Sequence, residues 1–100
     1  MALIHTVTCK VTFASMRKTR FTFELHESPC FDYGNHTAVR IVEDGCEPIL
    51  LDTRYSNGLS TNMSASAFSE WCSAWLKENC NETVLMMGWT ECVAYDKEEA

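Results

Sequence analysis

The stretch FSEWCSAWLKENC, residues 68–80, decides the fold, because it is the one run in the chain with a clear helical period. Phe68, Trp71, Cys72, Trp75 and Leu76 recur at i, i+3, i+4, i+7 and i+8, while Glu70, Lys77 and Glu78 lie off that stripe. Such spacing predicts an amphipathic helix with one buried face. Ser64, just upstream, suits its N-cap. Cys72 sits inside the stripe and Cys80 two turns later, about 12 Å further along the axis. A disulfide needs Cα atoms within roughly 7 Å, and one zinc ion holds its sulfurs at about 2.3 Å. These two cysteines therefore cannot share a bond or an ion while the helix holds. Cys72 reads as a small apolar side chain filling space between the tryptophans, and Cys9, between Val7 and Val11, reads the same way.

Upstream of the helix the period changes to two. Leu3, His5, Val7, Cys9, Val11 and Phe13 fall on one face, with Thr6, Thr8, Lys10 and Thr12 on the other; Ile4 interrupts the pattern. That is a strand with one face in water. After the polar connection ASMRKT, the alternation resumes with Phe21, Phe23 and Leu25 inward, so the two strands form a hairpin. ESPCFDYGN, with Pro29 and Gly34, predicts a loop. A second hairpin follows, with Val39 and Ile41 facing Ile49 and Leu51 across Asp44-Gly45, a pair suited to a type I′ turn. Pro48 lacks an N–H and belongs at a strand start or an outer edge. After the helix, ETVLMMGWTECVAY is apolar on both faces and predicts a central strand, with Gly88 marking a bulge or turn.

The expected fold is α+β: a single antiparallel sheet of about five strands, ββββαβ in sequence, with one amphipathic helix packed across one face. One hundred residues suffice for one core, assigned to residues 1–95, followed by an acidic tail at 96–100.

Composition narrows the function classes. The chain is 46% hydrophobic and 22% charged, too apolar for a disordered tail. No apolar run is long enough to span a membrane, and MALIHTVTCKV alternates where a signal peptide would be continuously apolar. A net charge of -6 opposes direct binding to nucleic acid and favours a partner with a basic surface. Six cysteines without a secretory signal point to reduced thiols in a cytoplasm. Asn35-His36-Thr37, Asn62-Met63-Ser64 and Asn81-Glu82-Thr83 match the glycosylation pattern, which leaves a secreted, disulfide-bonded module as an alternative.

Candidate chemistry is sparse. His26, Cys30, His36 and Cys46 are zinc-ligand types, and four could close a structural site; Cys30 with His36 could also form an activated thiol. Their spacing matches no zinc finger, and no phosphate-cradling glycine motif occurs. Arg17, Lys18 and Arg20 form a small basic group that keeps the hairpin soluble. No cofactor is expected. Phe31, Asp32 and Tyr33, in the expected loop, set exposed aromatics beside an acid, as interface hot spots do. Asp52 and Tyr55, flanking Arg54, are a second candidate of that kind. In size and charge, and in no motif, the chain resembles the small acidic proteins with which phages and mobile elements block host enzymes, anti-CRISPR proteins among them. That resemblance implies a non-enzymatic module that binds and occludes a basic, nucleic-acid-handling protein, and an exposed sheet edge would also permit a homodimer.

Overall fold

Alternating strands with one wet face must hide the other, and the helix does this. The structure is a computed structural model that describes residues 2–30, 34–52, 58–89 and 93–94. In order, the elements are β1 (Ala2–Phe13), β2 (Lys18–Cys30), β3 (Gly34–Glu43), β4 (Ile49–Asp52), α1 (Ala65–Asn79), β5 (Val84–Trp89) and β6 (Val93–Ala94). Neighbouring strands are antiparallel in the order β4-β3-β2-β1-β5, and β6 also pairs with β1. β5 lies against residues 9–13 of β1 and β6 against residues 5–6, so both follow the flank of β1 opposite β2. The expected fold class holds. Residues 96–100, the expected acidic tail, lie outside the described residues. No described helix is long and apolar enough to cross a membrane.

The core forms where the period-2 faces meet the helical stripe. Val7, Cys9, Val11 and Phe13 of β1 join Phe21, Phe23 and Leu25 of β2 and Val39 and Ile41 of β3 in one buried cluster. α1 adds Phe68, Cys72 and Leu76 to the same cluster. The tryptophans flank that central row, half-buried: Trp71 stacks on Phe68 at 6.4 Å, and Trp75 meets the Phe23 ring edge-on at 6.0 Å. His5 fixes the helix entrance to β1. Its ring stacks on Phe68, and its Nε2 lies 2.8 Å from the Met63 carbonyl. Ser64 caps α1 as expected, its Oγ accepting from the Ala67 N–H at 3.0 Å. At the other end the Cys80 N–H donates to the Leu76 carbonyl at 3.1 Å.

Several local expectations are corrected. The register shifts between Leu3 and His5, so Ile4 is the extra residue of a bulge; Ile4 packs on the core and Leu3 stands opposite His26. The sequence irregularity at Ile4 is thus structural. The expected loop over ESPCFDYGN shrinks, because β2 runs to Cys30 and β3 starts at Gly34. The turn before β4 has a positive φ at Gly45 (82°), but Asp44 has none, so it is not type I′. Pro48 does precede the edge strand β4, as its missing N–H requires. Ile49 is nearly half exposed rather than facing fully inward. Among the described residues β5 is not central but an edge strand. Its bulge falls at Leu85, where the register shifts, and not at Gly88.

Candidate interaction surface

The turn joining β1 to β2 sets the geometry at one end of the sheet. The Met16 N–H donates to the Phe13 carbonyl at 2.8 Å, and the Phe13 N–H to the Arg17 carbonyl at 2.9 Å. Met16 closes this three-residue loop with a φ of 73°, left-handed backbone that a methionine rarely adopts. The turn points Arg17 at the loop leading into β5. Its Nε donates to Glu82 at 2.7 Å and its Nη1 to Glu43 at 3.3 Å, while Ser15 Oγ donates to the other Glu82 oxygen at 2.8 Å. The Arg17 guanidinium also lies over the Phe13 ring, 4.5 Å from its centroid. Hydrogen bonds from Ser15 and Arg17 hold the Glu82 carboxyl below its ordinary pKa. The bonds to Glu82 and Glu43 raise Arg17 further. Beside this network lies a recess of about 220 Å³, with Phe13, Phe21 and Trp75 among its lining residues and Arg17, Glu43 and Glu82 around it.

These charges satisfy one another, so the expected basic group is largely absorbed. Arg20 Nε also pairs with Asp44 at 3.1 Å. Lys18 and Lys10 remain exposed without an ion pair among the described residues. Lys10, Thr12, Lys18 and Arg20 line an open groove of about 420 Å³ on the sheet face away from the helix.

The four expected zinc ligands do not all lie together, because Cys46 is at the far end of β3. His26 pairs across the strands with Ala38, and His36 with Ser28, so both histidines lie towards one end of the β2–β3 hairpin. His26 Nε2 is engaged by Glu24 Oε1 at 3.0 Å. Cys46 is exposed in the turn beyond Glu43, at the opposite end of β3. Seven residues of strand separate His36 from Glu43, roughly 23 Å. Cys46 therefore cannot join His36 around one ion. Cys30 ends β2, with nothing described of its side chain. Among the described residues no group of three or more histidines, cysteines or carboxylates could hold a metal.

Of the described thiols, Cys9, Cys72 and Cys80 behave as packing, while Cys46 is exposed. Cys9 and Cys72 are fully buried. Burial pushes the Cys9 pKa up to about 11, and burial with the nearby Glu43 charge raises Cys80. Both shifts oppose thiolate formation at neutral pH.

The expected contact residues Phe31, Asp32, Tyr33 and Tyr55 lie outside the described residues. Asp52 ends β4 and pairs with Ala38, with its side chain not described. The sequence reading foresaw an exposed sheet edge but missed which strands form the edges and how apolar they are. β5 exposes Leu85 (58%) and Met86 (62%), and β4 exposes Ile49 (47%) and Leu50 (60%). An edge strand presents unpaired N–H and C=O groups, and apolar side chains beside them leave it ready to accept another strand. The signal was available: VLMMGW holds no charge and no proline. No family model, curated protein or solved structure matches the chain.

Proposed function

We propose that this chain is a non-enzymatic protein-interaction module that engages its partner by strand addition at the outer edge of β5. The observation carrying the reading is that edge: six residues without charge or proline, with Leu85 and Met86 in water. Main-chain pairing would supply affinity and the two exposed side chains contact area. The net charge of -6 supports a partner with a basic surface, as a nucleic-acid-handling protein has, whose working channel the module would occlude. The burial of Cys9 and Cys72 and the raised Cys80 fit a reducing cytoplasm.

The test is a binding screen against purified basic nucleic-acid-handling proteins at low and high salt. A true partner should associate more slowly as salt rises and should lose affinity for the Met86→Lys variant. Finding no binder in the panel, or binding indifferent to that substitution, would remove the reading.

A further inference from the structure

We propose that the groove between β1 and β2, on the sheet face away from the helix, binds an extended acidic segment of a protein partner. Two carboxylates of that segment, two residues apart, meet Lys10 and Lys18. This surface is separate from the β5 edge and does not depend on strand addition there. The register sets Lys10 opposite Arg20 and Thr12 opposite Lys18. Both rows point away from the core, because Cys9 and Val11 alternate with them and are buried. Three cations and a hydroxyl therefore meet across two strands, around an open groove of about 420 Å³. One carboxylate lines that groove, Asp44, and it is taken up by Arg20 at 3.1 Å. Lys10 and Lys18 are exposed and have no ion pair among the described residues, so two positive charges stay uncompensated.

The arrangement runs against the rest of the chain, whose net charge is -6. Like charges opposite one another across strands are unfavourable, and Lys10 faces Arg20 with Lys18 on its diagonal. A chain with acids to spare could have neutralised this cluster and places only Asp44 there. A bound anion relieves the repulsion. Its spacing follows from the sheet. Diagonal cross-strand neighbours lie about 7–8 Å apart. Alternate side chains of an extended segment emerge on one face about 6.6 Å apart. Two carboxylates at i and i+2 thus meet both lysines, with the Thr12 hydroxyl between them. A nucleic-acid strand fits less well, because the outward pairs Thr8–Thr22, Lys10–Arg20 and Thr12–Lys18 offer no ring on which a base could stack. Salt at physiological strength screens charges beyond about 8 Å, so a short acidic segment feels the groove more than the distant acids.

The experiment titrates ten-residue peptides into the full chain and follows the amide signals of residues 10–12 and 18–20 by NMR. The peptides carry Glu at i and i+2, Glu at i and i+1, or Gln at i and i+2, and a ten-nucleotide oligothymidylate is the nucleic-acid arm. The i, i+2 glutamate peptide should bind tightest and shift those amides most. Lys10→Gln and Lys18→Gln should each weaken it roughly two- to fivefold, as for exposed ion pairs, with the melting temperature unchanged. Asp44→Asn should strengthen binding by a similar factor, because it releases Arg20. Glu70→Gln removes the same charge from the exposed side of α1 and should leave binding as it was. Equal gains from Asp44→Asn and Glu70→Gln would show that net charge, not the groove, governs binding, and would overturn the proposal. So would tighter binding of the oligothymidylate, self-association of the chain that Lys18→Glu abolishes, or no response to any acidic peptide.

Discussion

β4 and β5 close the two edges of the sheet, and the chain builds them differently. β4 is four residues long, is preceded by Glu47 and Pro48, and ends at Asp52. Shortness, proline and charge are the devices by which natural sheets discourage a further strand. β5 has none of them over its six residues. Its inner face is also the better anchored, since Met87 and Trp89 both pack on the core and the Trp89 ring tilts over Phe23 at 6.1 Å. On β4 only Leu51 does so. A well-fastened strand that nonetheless shows an unguarded edge is what a binding surface needs, whereas a guarded and lightly held one is what a sheet terminus needs.

The anchoring difference can be broken by truncation. Trp89→Ala should cost about 3 kcal/mol of unfolding free energy in urea titrations, because a large ring leaves the core margin. Leu51→Ala should cost about 2 kcal/mol, its side chain being half-buried and its strand short. Equal losses would mean that the two edges are fastened alike. The turns feeding the edges differ as well. Gly45, ahead of β4, holds its positive φ at no steric cost, while Met16, in the turn tied to the β5 loop, does not. Met16→Gly should therefore raise stability by about 1 kcal/mol, read as a higher melting temperature, since its side chain is exposed and little packing is lost. A loss of stability instead would show that the Met16 side chain contributes contacts outweighing the backbone strain.

The hairpins, the helix and its cap were legible in the sequence because each rests on a local signal. Period-2 alternation marks β1 to β3, and Ser64 followed by the Phe68-Cys72-Leu76 row marks α1. β5 was misread because a run apolar on both faces has two physical origins that composition does not separate. One is burial on both sides; the other is burial on one side beside an edge kept apolar. Strand order decides between them, and strand order depends on which side of β1 the returning chain docks. The bulge at Ile4 was visible only as a break in alternation, because a bulge and a phase error leave the same trace in one strand. Cys46 drops out of the candidate zinc set for a reason of distance: His36 and Cys46 are ten residues apart along a strand and its turn, and an extended chain separates what a loop could have gathered.

The smallest expected effect concerns the strap between β5 and the rest of the sheet, which has no counterpart at β4 among the described residues. Glu82, just before β5, ties that strand to the first turn through Ser15 and Arg17, and the Thr83 carbonyl accepts the Ala14 N–H at 2.8 Å. Because the folded state holds the Glu82 pKa below its ordinary value, its contribution is complete above the unfolded value, about 4.3. It fades as pH falls through the lower folded pKa, where the carboxylate takes up a proton and Arg17 loses a charged partner. Exposure keeps the contribution small, and salt screens it further. Acidification below the ordinary glutamate range should thus speed hydrogen exchange at the start of β5 more than in β4. Glu82→Gln should show that faster exchange at neutral pH and respond less to acid. The same acid response in β4, or an unchanged profile in Glu82→Gln, would show that the strap does not distinguish the two edges.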